Sequence, residues 1–195
     1  MGLFSFFKKP SIPNAIPEGT VEELLQQQLD LVPDHCKAQP PFRRSVEFLA
    51  QQAHELVLQS LIELVEGNGH CFTEQYWIAL EQIASRLNLP ARARYCRVES
   101  WAVKRRRQDK VEQMRRVDGF YYCSHGRDGM IYYVQQGRVL ELYSEMSGDK
   151  QFAFLIHFQE ATHWALPVKQ VISLEEKAVI REQLSKWLGK VRADY

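Results

Sequence analysis

The stretch from Gly119 to Trp187 constrains the fold more than any other part of the chain, because four apolar runs follow one another there across very short gaps. The runs are Phe120-Tyr121-Tyr122-Cys123, Met130-Ile131-Tyr132-Tyr133-Val134, Val139-Leu140-Glu141-Leu142-Tyr143 and Phe152-Ala153-Phe154-Leu155-Ile156. All are rich in aromatic and branched residues, the composition of strands. Between them lie the turn-forming segments His125-Gly126-Arg127-Asp128-Gly129, Gln135-Gln136-Gly137 and Ser147-Gly148-Asp149-Lys150. A parallel crossover needs a dozen or more residues, so gaps this short predict antiparallel hairpins. After a short aromatic segment, His163-Trp164-Ala165-Leu166-Pro167, Ser173 stands three residues before Glu176, the spacing of a capping box. The helix that follows carries the stripe Val179, Ile180, Leu184, Trp187 and Leu188, suited to lie across one sheet face.

The front half is patterned differently. Residues 10–17 hold three prolines and predict an extended, proline-rich leader over residues 1–19. Thr20 then offers a helix cap, with Glu22 and Glu23 in the first turn where the helix dipole favours negative charge. Pro33 stops that helix. From Phe42 to Glu66, Val46, Leu49, Ala53, Leu56, Val57, Ser60, Leu61 and Leu64 recur at three- and four-residue steps and predict one helix, ended by Gly67-Asn68-Gly69. Thr73 caps the next, with Tyr76, Trp77, Leu80, Ile83, Ala84 and Leu87 as its stripe, and Pro90 opens another. The chain therefore reads as α+β: a helical domain over residues 20–117, then an antiparallel sheet of four or five strands with a C-terminal helix packed on it over residues 118–195.

The segment from Ala91 to Val117 is the most unusual in composition, with ten Lys and Arg residues against three acids in a chain whose net charge is only +1. Lys104, Arg105, Arg106, Arg107, Lys110, Arg115 and Arg116 form its basic patch. Its apolar stripe of Tyr95, Val98, Trp101 and Ala102 lapses between Lys104 and Lys110 and resumes at Val111 and Met114, so the middle of this helix is expected to be exposed on all sides. Clustered cations supply phosphate contacts, and Tyr95 or Trp101 has the ring to stack on a base, although both lie on the stripe expected to be buried. A solvated face, or a docking surface for the acidic remainder of the chain or for an acidic protein partner, accounts for the same residues.

Composition narrows the remaining classes. An apolar fraction of 45% and a charged fraction of 25% are ordinary globular values. The segment Met1-Gly2-Leu3-Phe4-Ser5-Phe6-Phe7-Lys8-Lys9 has its lysines after its apolar run, opposite to a secretory signal, and Phe6 occupies the Ser/Thr position of a myristoylation motif. An apolar terminus packed on the domain is expected there. Cys36, Cys71, Cys96 and Cys123 include no CxxC pair and are expected as reduced thiols. The neighbours His35-Cys36, His70-Cys71 and Cys123-Ser124-His125 do not follow zinc-knuckle spacing, so no metal or other cofactor is expected. A nucleophilic thiol pair can be drawn from Cys123 or Cys71 with His157 or His163, but Cys123 on a strand reads first as a small buried hydrophobe, and an enzyme built on Cys123 and His157 is the least expected reading. Glu141 and Glu145 share a strand face and read as its outward side. Gly67-Asn68-Gly69 lacks the Lys and Ser/Thr of a phosphate-binding loop.

The order Ile131-Tyr132-Tyr133, Gly137-Arg138-Val139-Leu140-Glu141-Leu142, Ser144-Glu145, Phe154-Leu155-Ile156, Trp164-Ala165-Leu166-Pro167, Ser173-Leu174-Glu175-Glu176-Lys177 and Ile180 resembles small bacterial immunity proteins of polymorphic toxin systems. The likeness covers roughly residues 119–190. It implies a cytosolic, non-enzymatic protein that binds and blocks a cognate toxin, with no catalytic residues. The long helical front half departs from that single-domain pattern. The expected function is thus an immunity-like inhibitor that contacts its partner through Arg127, Asp128, Arg138, Glu141, Glu145 and His163, together with the basic helix. The alternative is a nucleic-acid-associated factor acting through the basic helix.

Overall fold

The computed structural model describes residues 19–147 and 154–193; the leader, the apolar N-terminal segment and the third inter-strand turn lie outside them. Thr20 caps α1 (Val21–Asp30): its hydroxyl accepts from the Glu23 amide while the Glu23 carboxylate accepts from its own. Then follow a single turn, α2 (Asp34–Lys37), and α3 (Pro40–Ala50), which opens on Pro40 where a missing N–H costs nothing. Next come α4 (His54–Gly67) and α5 (Glu74–Arg86), the latter capped by Thr73. Leu24, Leu25 and Leu29 of α1 meet Leu58, Leu61 and Leu64 of α4 and Trp77, Leu80 and Ile83 of α5 in one apolar core.

The single helix predicted over Phe42–Glu66 is two helices. Gln52 takes a left-handed conformation at φ 57°. The amides of Gln52 and Ala53 turn back onto the carbonyls of Leu49 and Phe48 at 2.9 Å, the hydrogen-bond pattern of a Schellman cap. No glycine marks the break, and the apolar period runs through it unchanged. Val46 and Leu56, predicted on the buried face, are left exposed by the reversal.

The basic helix, α6 (Pro90–Gln108), also packs differently from its predicted stripe. Its buried positions are Ala93, Cys96 and Ser100, small residues that let α6 approach α5 closely. Val98 and Trp101 consequently point outward, 51% and 60% exposed. The middle of α6 is not exposed on all sides either: the Arg106 side chain is only 13% exposed. Lys110, left-handed at φ 56°, breaks the helix before the turn α7 (Val111–Met114).

Four antiparallel strands follow in chain order, β1 (Gly119–Ser124), β2 (Asp128–Gln135), β3 (Arg138–Met146) and β4 (Phe154–Ile156). Gln136 and Gly137, both at positive φ, form the two-residue β2–β3 turn, whose backbone twist suits a hairpin. Gly129 is required by close approach, because a Cβ there would stand 2.6 Å from the Tyr122 ring and 2.8 Å from the Cys123 carbonyl oxygen. The short strands β5 (His163–Trp164) and β6 (Gln170–Val171) pair with each other. They are tied to β3 where Val139 exchanges backbone hydrogen bonds with Leu166 and Ala165. The last helix, α8 (Leu174–Ala193), begins at the predicted capping box, with Ser173 and Glu176 bonded reciprocally at 3.0 and 3.1 Å.

The sheet is covered on both faces. Ile131, Tyr133, Leu140 and Leu142 pack with Trp164 and with Ile180 and Leu184 of α8. Met130, Tyr132, Val134 and Val139 face the other way, against Val111 and Met114 of α7. Burial on two sides explains why β2 reads as a continuous apolar run instead of an alternating one. The fold is thus α+β as expected, although α7 contributes to the sheet's own core. Among the described residues no helix is long and apolar enough to cross a membrane.

Candidate functional site

Part of the basic patch is turned onto the protein's own acceptors, while Lys104, Arg107, Lys110 and Arg116 are exposed. Arg106 Nη1 donates to both carboxylate oxygens of Glu141 on β3, at 3.2 and 3.3 Å. Arg105 reaches the Met130 sulfur at 3.2 Å. Arg107 pairs with Glu74 at 3.1 Å, and Lys104 stands 4.0 Å from the same carboxylate. Arg115 pairs with Glu112 and donates to the Gly137 carbonyl. Burial pushes the Glu141 carboxyl above its usual range, with Arg106 pulling the other way.

A second polar cluster lies beside that pair. Asp109, at the end of α6, accepts from the Tyr132 hydroxyl at 2.5 Å and meets His125 Nε2 at 2.8 Å. Burial first, and the Asp109 bond second, push the Tyr132 phenol far above its usual value. Burial and the same aspartate raise the Cys123 thiol. That is the reverse of what a nucleophilic cysteine needs. Cys123 and His157 are also far apart: Cys123 pairs with Met130, Met130 with Tyr143, and His157 lies beyond Tyr143, three strand spacings or about 14 Å away.

The six predicted contact residues do not share one surface. Asp128 and Glu145 face each other across β2 and β3. Arg127 is exposed at the neighbouring turn. Arg138 lies at the far end of the same strands, stacked 4.1 Å over Trp164 and paired with Glu176 at 3.1 Å. His163 is half-buried on β5, against the Thr162 hydroxyl. Glu141 is not an outward residue, because it faces α6 and holds Arg106.

Around Asp128 and Glu145 the sheet end gathers further groups. His157 sits 3.1 Å from both Glu145 and Glu160, which raise its pKa above the usual 6.5, the Glu160 bond contributing most. Leu155 is opposite Glu145 on β4 and 53% exposed. Among the described residues no strand pairs with the outer side of β4.

One cluster was not expected at all. His35, Cys36 and Cys71, which come from two of the neighbouring pairs set aside on spacing, have their donor atoms within 4.8 Å of one another. Sequence spacing missed it because Cys71 arrives from a different connector, and no local pattern encodes that meeting. Burial, then the adjacent Cys71, raises the Cys36 thiol. Cys96, deep in the helical core, is pushed up to about 12 by burial and nearby Glu81.

Compared with protein-family models, curated proteins and solved structures, the chain matches none.

Proposed function

We propose that the chain is a non-enzymatic binding protein that blocks a basic protein partner, in the manner its C-terminal resemblance to immunity proteins implies. What supports the reading is the end of the sheet at β3 and β4. There an exposed leucine, Leu155, stands opposite Glu145, with Asp128 and Glu160 nearby and His157 bridging Glu145 and Glu160, on a strand whose outer side pairs with no other among the described residues. An open edge offers backbone hydrogen bonds to an incoming strand, and the carboxylates select a cationic one. Burial raises the Cys123 and Cys96 thiols and the Tyr132 phenol, which disfavours the anions that covalent or acid–base chemistry at these positions would need.

The basic helix supports a nucleic-acid reading less well, since Arg106 and Arg115 are largely covered and directed at the protein's own acceptors, which leaves Lys104, Arg107, Lys110 and Arg116 as its exposed cations. Affinity capture from the host lysate, with nuclease treatment and a salt series, tests the two together. The expected result is one stoichiometric protein that survives nuclease and is lost from a Leu155→Arg variant with unchanged thermal stability. Recovery dominated by nucleic acid, lost as salt rises and unaffected by that variant, overturns the proposal.

A further inference from the structure

Two short connectors meet on the flank of the helical half, one joining α1 to α3 and the other α4 to α5. The first contributes α2, with His35 and Cys36 in a single turn; the second contributes a turn of 3-10 helix over Gly69–Cys71. His35 Nε2 lies 3.2 Å from Cys71 Sγ, and Cys36 Sγ is within 4.8 Å of both atoms. The same connectors are fastened independently by a reciprocal amide pair: Gln39 and Asn68 each donate to the other's side-chain oxygen at 2.9 Å. Asn68 also donates to the Leu64 carbonyl at 2.8 Å. The backbone spacing of the three donors is therefore set by groups other than the donors, as a binding site requires.

We propose that His35, Cys36 and Cys71 bind one zinc ion through two thiolates and an imidazole, leaving a fourth, outward position for water or an external ligand. This is a borderline-soft donor set of the kind zinc takes. Zinc–ligand lengths place tetrahedral neighbours about 3.8 Å apart for two sulfurs and about 3.5 Å for sulfur and nitrogen. The observed spacings need only small side-chain adjustments to reach those values. Charge favours a divalent ion over copper(I): Cys36 is fully buried, and two thiolates neutralise Zn²⁺ but leave net negative charge around a monovalent ion. The exposed His35 and half-buried Cys71 give the ion access. Binding forms two Zn–S bonds and one Zn–N bond and releases one proton from each thiol, so affinity falls as the pH is lowered. The site is independent of the partner-binding surface and pins one connector to the other.

The test is a titration of the full-length chain, reduced, stripped with chelator and desalted, with Co²⁺ and then Zn²⁺. The expected result is one Co²⁺ per chain, with thiolate-to-cobalt charge-transfer absorption and the intense visible bands of tetrahedral coordination, displaced by an equivalent of Zn²⁺. Zinc also raises the thermal midpoint. Cys36→Ser is a poor probe alone, because that position is buried. Cys71→Ser and His35→Ala, at accessible positions, are expected to weaken binding by more than the about 10- to 100-fold that loss of a mere supporting group costs. Cys123→Ser leaves binding unchanged. Absence of the cobalt bands, their persistence in Cys71→Ser, or a Cys36–Cys71 disulfide on mild oxidation in a protein that takes up no metal would each overturn the assignment.

Discussion

The helical core and the seam between α6 and the sheet are held together by opposite means. In the core, leucines, isoleucines and aromatics from α1, α4 and α5 pack out of contact with water. In the seam, Arg106 meets Glu141, Asp109 meets Tyr132 and His125, and Lys169 reaches the Tyr95 hydroxyl at 2.8 Å and Glu99 at 3.2 Å, with Tyr95 itself bonded to Glu66. One helix serves both, presenting Ala93, Cys96 and Ser100 to α5, and Arg105 and Arg106 to β2 and β3. Apolar burial is strong but non-directional, whereas a charged pair must be desolvated first and adds little net stability when well made. The core therefore supplies most of the stability, and the seam orients the sheet against the helices.

The largest effect should come from the core. Leu61→Ala, at a fully buried site, is expected to cost about 4 kcal/mol in denaturant unfolding. Arg106→Met should cost somewhat less, about 3 kcal/mol, because it strands a desolvated carboxylate. Burial raises the Glu141 pKa, so in that variant the folded state takes up the proton more readily than the unfolded one and the deficit shrinks as pH falls. The double replacement Arg106→Met, Glu141→Leu should return to within about 1 kcal/mol of the wild type. A double variant as unstable as the single one would mean that the seam contributes net stability of its own.

The smallest effect concerns His157. Because Glu160 and Glu145 raise its pKa in the folded state, its contribution is fully present below 6.5 and is lost as pH rises through the raised value. His157→Asn should flatten that decline in the thermal midpoint while leaving the alkaline plateau unchanged. An identical pH profile in the variant would detach the histidine from the stability of the β3–β4 edge.

Local chemistry was legible in the sequence wherever it acts over a few residues. Thr20, Thr73 and Ser173 cap the helices they precede, and the hairpin strands fall where the turn residues place them. What escaped depends on packing between distant segments. The reversal at Gln52 uses a residue that is usually helical, and only the core's need to fold α4 back on α3 selects it. Trp101 looked buried by its spacing, yet the small face of α6 is the one that fits against α5. Glu141 lay on a strand face that reads as outward, because the sequence does not announce that α6 and α7 cover the second side of the sheet. The His35–Cys36–Cys71 cluster joins two connectors that no periodicity relates.

β2 is hydrogen-bonded on both edges and buried on both faces, which makes it the most enclosed strand of the four-stranded sheet. Those of its central amides, from Ile131 to Tyr133, that bond to β3 are shielded by α8, the α7 turn and a strand itself paired on its far side, so they meet solvent only when several layers give way together. Their deuterium uptake should thus report the free energy of global opening, while the β4 edge exchanges through small excursions. The strand serves as an internal gauge of cooperativity: any ligand that stabilises the whole chain will slow these amides in step with its effect on the melting temperature.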